Sequence, residues 1–194
     1  MHQIGVHCPV DKTLLSVIQW TNQTGGNSAQ FFLQNPHTYQ ARNMEAEEWK
    51  RFCAATEANH ISPLFIHAPY VVNLCSMNEL IREKSWKAVL RLLQTIQSKK
   101  DAYLVVHIGY HGGSGFEQGS CYFQESLEHI RDMVPLTKLA IENASGQTNS
   151  MGSSIEEISA LLALFPDIGL CMDTAHSWGY GYSPDEVFFT QKLT

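Results

Sequence analysis

Short apolar runs alternate along the chain with longer segments whose apolar residues recur at helical spacing. Six such runs are typical of buried strands, and they cover residues 4–8, 29–33, 64–67, 103–107, 138–142 and 168–173. The segments between them are typical of amphipathic helices, at residues 13–21, 45–59, 78–98, 123–133 and 155–164. Because continuous apolar strands separated by helices are the pattern of parallel βαβ units, we predict a parallel sheet covered by helices.

Five of the predicted strands carry a chemically capable side chain at or near their carboxyl end. These residues are His7, His67, His107, Glu142 and Asp173. In a (β/α)8 barrel the carboxyl ends of the strands converge on one mouth, whereas an open doubly wound sheet would spread them along an edge. The pattern therefore favours an α/β fold of the (β/α)8 TIM-barrel class, with these side chains aimed at a common point.

The strand count stops at six, although a full barrel needs eight strands and about 250 residues. The chain has 194 residues, and a sixth helix is predicted to begin at 184–189. No repeat, low-complexity tract or linker marks a domain boundary. We therefore expect one domain over residues 1–194, a barrel truncated after about six βα units whose C-terminal part is missing.

Composition limits the cellular compartment and the kind of partner that we expect, but it does not identify the function. The formal net charge is −6, which argues against a grip on nucleic acid through bulk positive potential, although bound metal ions would add local positive charge. The five cysteines are scattered and form no CxxC pair, as in reduced intracellular proteins. No apolar run approaches the roughly 20 residues of a membrane span, and no secretory signal is visible. We expect an intracellular monomer, cytoplasmic or nuclear.

Histidine, glutamate and aspartate at successive strand ends make a donor set suited to a metal ion. Imidazole nitrogen and carboxylate oxygen both bind zinc at about 2.0–2.2 Å. A single histidine at a strand end is more often a hydrogen-bonded structural residue. Five acid or imidazole groups predicted to meet at one mouth shift the balance towards a metal site.

Several ordered segments resemble the signatures of one enzyme family. Residues 67–74 have the sequence HAPYVVNL, residues 140–147 have AIENASGQ, and residues 169–176 have GLCMDTAH. Residues 4–7 and 31–36 match in order and spacing as well. Together these segments resemble apurinic/apyrimidinic endonuclease family 2, the endonuclease IV-like enzymes with a xylose-isomerase-like TIM barrel, and the resemblance covers nearly the whole chain.

The resemblance implies a zinc site with up to three ions. It makes His67 and His107 ligands of one zinc and Glu142 a bridge to a second, which Asp173 also binds. It assigns His176 to a third zinc; the sequence places this residue in the loop beyond Asp173, where it can face a different ion. The family's remaining ligands come from later strands, and no segment matching them occurs here.

The implied activity is hydrolysis of the phosphodiester 5′ to an abasic site in double-stranded DNA, as in base excision repair. Zinc makes water available as a nucleophile near neutral pH, and the products are a 3′-hydroxyl and a 5′-deoxyribose phosphate. Glu142 is the candidate catalytic residue, because a bridging ligand positions the nucleophile.

Loops at the same mouth are expected to contact the DNA. Tyr70 resembles the aromatic residue that fills space at the lesion when the abasic nucleotide is flipped out. The family often has Arg-Gln-Trp where residues 37–39 are His-Thr-Tyr, a weaker set for wedging and phosphate binding. The further predicted DNA contacts are His7, Asn35, His37, Thr38 and His111.

Two alternatives stay open. Sugar isomerases and epimerases of the xylose-isomerase-like barrels also place His, Glu and Asp at strand ends, around one or two divalent ions. His176 and Asn73 favour the endonuclease, and turnover of a ketose with manganese would favour the isomerase. The second alternative is a non-catalytic truncated product that binds metal or DNA weakly, since unpaired strand edges are an aggregation liability.

Overall fold

The computed structural model describes residues 2–183, in which strands and helices alternate. The strands are β1 (Gly5–His7), β2 (Ser28–Phe31), β3 (Leu64–His67), β4 (Ala102–His107), β5 (Leu139–Glu142) and β6 (Gly169–Cys171). The helices are α1 (Leu15–Gln23), α2 (Ala46–Ala58), α3 (Glu79–Ile96), α4 (Phe116–Arg131), α5 (Ile155–Leu164) and α6 (Thr174–Tyr180). None of the helices in this part of the chain is long and apolar enough to cross a membrane.

All six strands are parallel and pair in sequence order, from β1 to β6. The helices between them therefore connect neighbouring strands, as in the βαβ units of a barrel wall. The register places His107 of β4 directly beside Glu142 of β5. His67 of β3 pairs with Val105 of β4, so the carboxyl ends of the three strands lie close together.

The central strands are buried because their apolar runs face neighbours on both sides. Leu64, Ile66, Leu104 and Val106 are fully buried. Parallel strands covered on both faces have such continuous apolar sequences, which explains why their positions were predictable. These strands form a rigid base for the polar residues at their ends.

Helix α3 occupies the segment predicted for it, but Leu80, which helical spacing places in the buried stripe, is 64% exposed in its first turn. The Asn78 side chain caps its first turn by accepting a hydrogen bond from the backbone N–H of Ile81 at 3.3 Å. Val89, Leu93 and Ile96 form part of its buried stripe. The prediction of a long amphipathic helix over residues 78–98 is therefore confirmed within two residues at each end.

Helix α4 begins at Phe116, well before the predicted start at residue 123. Its first turns contain Gly119, which belongs to no apolar stripe and lowers helix propensity. A Cβ atom at Gly119 would lie 2.7 Å from the Met151 sulfur and 2.9 Å from Cβ of His111. The glycine thus allows α4 to approach the loops at the barrel mouth, a packing reason that local sequence does not reveal.

Helix α6 was not predicted, and it changes the place of one site residue. Asp173 caps it by accepting a hydrogen bond from the His176 backbone N–H at 2.9 Å, and Gly181 ends it with a φ of 115°. His176 therefore lies in the first turn of a helix, so its predicted position in a loop is wrong. The short α6 segment has no helical apolar stripe to mark it. The helix predicted to begin at 184–189 lies outside the described residues.

The burial of the core residues allows a prediction about the free energy of unfolding. Replacing the fully buried Leu104 with alanine removes apolar burial and leaves a cavity, so we expect Leu104→Ala to lower the free energy of unfolding by about 2–5 kcal/mol. The matched control is Leu80→Ala, because Leu80 is 64% exposed on α3 and should change stability by less than about 0.5 kcal/mol. Urea denaturation measures both. Equal losses for the two variants would contradict the described packing.

Candidate metal centre

The carboxyl ends of β3, β4 and β5 bring two imidazoles and one carboxylate together. Nε2 of His67 lies 3.1 Å from Oε2 of Glu142, and Nε2 of His107 lies 3.9 Å from Oε1 of the same carboxylate. Glu142 is only 5% exposed and His67 only 4%. A buried carboxylate is unfavourable unless charge or hydrogen bonds compensate it. Glu142 is the buried acid that both imidazoles face, so it is the centre of this cluster.

A second group shares the same glutamate. Nδ1 of His176 lies 3.4 Å from Oε1 of Glu142 and 3.7 Å from Oδ2 of Asp173. In each of the two groups, His67–His107–Glu142 and Glu142–Asp173–His176, the ligand-capable atoms lie within 4.8 Å of one another. The structure thus gathers all five predicted ligand residues, with Glu142 common to both groups.

Backbone carbonyl groups orient two of the imidazole rings. Nδ1 of His67 donates to the Ala68 carbonyl at 2.7 Å, and Nδ1 of His176 donates to the Asn143 carbonyl at 2.9 Å. In His67 this leaves Nε2, with its lone pair, facing the Glu142 carboxylate. Two such electron-rich groups repel each other unless a proton or a cation lies between them. Such a carbonyl–histidine pair is the usual support of a metal-binding imidazole, which then binds the ion through its other nitrogen. His176 would therefore bind a metal through Nε2, since its Nδ1 carries the donated proton.

Electrostatics at the mouth favour neutral imidazole for His107 and His7. Burial lowers the pKa of His107, while the Glu142 carboxylate opposes this shift and the His67 imidazole adds to it. Burial also lowers the pKa of His7, again with His67 acting in the same direction. Neutral imidazole is the form that binds metal ions and accepts hydrogen bonds.

Asn143 organises the site, although sequence analysis gave it no role beyond its motif. Its side chain is almost fully buried; Oδ1 accepts from the Asp173 backbone N–H at 2.6 Å. Nδ2 donates to the Asp173 carbonyl and to Oγ of Ser177, both at 3.1 Å. An amide can clamp a backbone from both sides because it donates and accepts, and here it ties the end of β5 to the start of α6.

Tyr70 stands at the mouth beside the metal groups. Its side chain is 53% exposed, and its ring centroid lies 5.7 Å from that of His67 and 6.3 Å from that of His107. The Tyr70 backbone N–H donates to the Pro36 carbonyl at 2.8 Å, which joins the loops after β2 and β3. An exposed aromatic ring so close to the candidate ligands is well placed for contact with a substrate.

The loop after β2 holds three further predicted DNA contacts. Asn35, His37 and Thr38 lie on it, and all three are exposed to solvent. Oδ1 of Asn35 accepts from the His37 backbone N–H at 2.9 Å, so this side chain also shapes the turn. The His37 ring lies 5.9 Å from the Tyr70 ring.

His7 and His111 occupy different surroundings. Nδ1 of His7 accepts from Nε2 of Gln30 at 3.0 Å, which leaves Nε2 as an N–H donor, and its ring lies 6.2 Å from that of His67. Nδ1 of His111 accepts from the backbone N–H groups of Gly113 and Gly115 at 3.2 and 3.0 Å. His111 therefore orders its own loop, and its predicted role in DNA binding stays a prediction.

A groove of about 960 Å³ lies between the loops that follow β1 and β2. Two cationic side chains, Lys12 and Arg42, line it together with the ring of His37. The other predicted DNA contacts in its lining are His7, Asn35 and Thr38. Because Asp11 also lines the groove and Arg42 is ion-paired with Glu48 at 2.6 Å, the groove offers hydrogen-bond groups and mixed charge beside the mouth rather than a positive surface.

Comparison with known proteins defines the class. The family described as "Xylose isomerase-like TIM barrel" matches residues 18–193. The chain is 31% identical over 194 residues to "Probable endonuclease 4" of Sulfurihydrogenibium sp., covering 97% of this chain and 70% of the relative. Among solved structures, endonuclease IV from Thermus thermophilus is similar with a TM-score of 0.77 and 22% identity, covering 98% of this chain and 71% of that one.

The fold is shared with enzymes of other chemistry. The apo form of 3-keto-D-glucoside 4-epimerase from E. coli has a TM-score of 0.71 at 10% identity, covering 98% of this chain and 74% of that one, which shows likeness of fold alone. The predicted TIM-barrel class is confirmed. The chain belongs to the xylose isomerase-like TIM-barrel family, and within it to the endonuclease IV-like members. It spans about two thirds of the length of the curated relatives it matches.

The Asn143 clamp can be tested by truncation. Asn143→Ala leaves the Asp173 backbone groups without their side-chain partner, so we expect a loss of about 1–3 kcal/mol in the free energy of unfolding. Hydrogen exchange should also show faster exchange in α6. The control is Asn22→Ala, since the exposed Asn22 side chain makes its hydrogen bond to Asn59 at the surface. Unchanged α6 protection in Asn143→Ala would contradict the clamp.

Proposed function

We propose that the protein is a zinc-dependent DNA-repair endonuclease that hydrolyses the phosphodiester 5′ to abasic sites. The observation that carries this proposal is the pair of three-donor groups sharing Glu142 at the barrel mouth. Membership of the endonuclease IV-like family supports it. The proposal extends to double-stranded DNA as the partner, an intracellular setting and a monomeric state.

The residues present fit zinc by their chemistry. Three imidazoles and two carboxylates make a mixed nitrogen and oxygen donor set, which zinc accepts readily. A carboxylate can bridge two ions, and Glu142 is the residue common to both groups. His67 and His107 would hold one ion with Glu142, Asp173 would join Glu142 at a second, and His176 would serve a third.

The chain's own side chains set the conditions for hydrolysis. When bound, zinc ions supply the Lewis acidity that makes water a nucleophile near neutral pH and offsets phosphate charge. Glu142 is the candidate catalytic residue because it is buried and belongs to both donor groups. One of its carboxylate oxygens lies beside His67 and the other beside His176. The carbonyl groups of Ala68 and Asn143 hold two of the imidazoles in a fixed tautomer.

The loops at the mouth would bind the DNA around the lesion. Tyr70 is the candidate for filling the space left by the extruded nucleotide, since its exposed ring lies next to His67 and His107. Lys12 in the groove would contact the phosphodiester backbone, together with the predicted contacts that line it, His7, Asn35, His37 and Thr38. Arg42 is ion-paired with Glu48 and is not counted among them. His111 would contact phosphate through the nitrogen that its loop leaves free.

Incision of a defined duplex tests the proposal. The zinc-loaded chain should cut a duplex with a tetrahydrofuran abasic analogue once, on the 5′ side, leaving a 3′-hydroxyl. Strong chelation should abolish the cut, and added zinc should restore it. Glu142→Gln should lower the incision rate by at least about 100-fold. Changing a residue that merely supports a metal ligand costs about 10–100-fold, and changing the ligand itself should cost more. The control is Glu47→Gln, a mostly exposed carboxylate on α2.

Other outcomes would redirect the assignment. A folded, zinc-loaded chain that leaves abasic DNA uncut contradicts nuclease activity. Turnover of a ketose with manganese in the same preparation would favour a sugar isomerase or epimerase. An equal loss of incision in Glu47→Gln and Glu142→Gln would contradict the role of Glu142.

A further inference from the structure

A pocket of about 250 Å³ lies beside the candidate metal groups and is lined by two exposed tyrosines. His107 and His176 contribute to its lining, and so do Tyr70 and Tyr110. The Tyr70 side chain is 53% exposed and the Tyr110 side chain 43%. A large aromatic ring left in solvent at the wall of a polar pocket is typical of a binding surface. Tyr110 has no part in the site described so far.

Asn73 fixes the backbone of Tyr110 from the loop after β3. Oδ1 of Asn73 accepts from the Tyr110 N–H at 3.0 Å, and Nδ2 of Asn73 donates to the Tyr110 carbonyl at 3.1 Å. The preceding residue, Gly109, has a φ of 115°, and a Cβ atom there would lie 2.2 Å from Oδ1 of Asn73. Only glycine allows this close approach, so the position of Tyr110 is tightly determined.

The loop after β5 holds Tyr110 from another direction. Its hydroxyl donates to Oε1 of Gln147 at 3.0 Å, and its backbone forms an antiparallel bridge with Ser150. The next residue, His111, donates its N–H to the Asn149 carbonyl at 2.9 Å. Contacts from two other loops thus hold an exposed ring in one orientation, and a ligand that packs on it pays little entropy for ordering it.

The polar groups around the ring indicate the kind of ligand. Ser145, Gln147 and Ser150 line the same pocket and offer hydrogen-bond donors and acceptors. Aromatic rings beside such groups suit a nucleotide, whose sugar and base have an apolar face and polar edges. The neighbouring His107 and His176 place the pocket next to the groups assigned to hydrolysis.

We propose that Tyr110 is a DNA-binding residue whose ring packs against the sugar or base of a nucleotide held beside the metal groups. The inference rests on the proposed function, because it takes the substrate to be a DNA strand. The hydrogen bond to Gln147 and the Asn73 clamp keep the ring in place, and the ring itself supplies the contact.

Binding of product DNA tests this role without incision. The probe is a fluorescent nicked duplex that carries the 5′-abasic phosphate, and anisotropy gives the Kd of the zinc-loaded chain. Tyr110→Ala should raise the Kd by about fivefold or more, the loss expected when one aromatic stacking contact is removed. The matched control is Tyr103→Ala, since Tyr103 is 37% exposed near the amino end of β4 and should leave the Kd unchanged. Thermal melts confirm that each variant is folded.

The Tyr110→Phe variant distinguishes the contribution of the ring to binding from that of the hydroxyl. This variant keeps the ring and loses the bond to Gln147, so we expect its Kd to stay within about twofold of the parent. A Kd for folded Tyr110→Ala equal to that of the parent would overturn the contact while leaving the proposed function intact. Equal weakening in Tyr110→Phe and Tyr110→Ala would overturn the ring-packing role. A parent chain that binds the abasic probe no better than undamaged duplex would overturn the ring-packing role, whereas a parent chain that fails the incision assay would overturn the proposed function and this inference with it.

Discussion

A buried acidic side chain is the constraint on which the barrel mouth depends. Glu142 is 5% exposed at the end of β5, and a carboxylate in that position is unfavourable unless positive charge or hydrogen bonds compensate it. The imidazoles of His67, His107 and His176 surround it within 4 Å. Parallel pairing in sequence order makes this possible, because it brings the ends of β3, β4 and β5 to one place. The sheet therefore positions the site residues, because strand pairing fixes where each strand ends.

Outside this cluster the mouth is organised by side-chain amides that hold the loops. Asn143 joins β5 to α6 through both backbone groups of Asp173, and Asn73 joins the loop after β3 to both backbone groups of Tyr110. Each clamp uses the paired donor and acceptor of an amide, and each satisfies backbone groups away from regular structure. Asn73 in this way fixes the backbone of Tyr110 at the mouth, and Asn143 fixes the start of α6 that carries His176.

Sequence alone was sufficient for the strands and for the residues at their ends. Apolar runs such as residues 64–67 end in a polar residue, and the α/β pattern indicates where those ends meet. It was insufficient for α6 and for the amide clamps. Helix α6 is short and carries no apolar stripe, and the partners of Asn143 lie about thirty positions away along the chain. The fixed position of Tyr110 was not predictable for the same reason, since it is set by contacts with two distant loops.

The central claim is that the residues around Glu142 bind zinc. Native mass spectrometry of the folded chain, titrated with zinc after complete chelation, tests it most directly. We expect the parent chain to bind zinc and Glu142→Ala to lose most of it, because both donor groups share this residue. A well-folded parent chain that binds no zinc, or a folded Glu142→Ala variant that retains the same amount, would contradict the account.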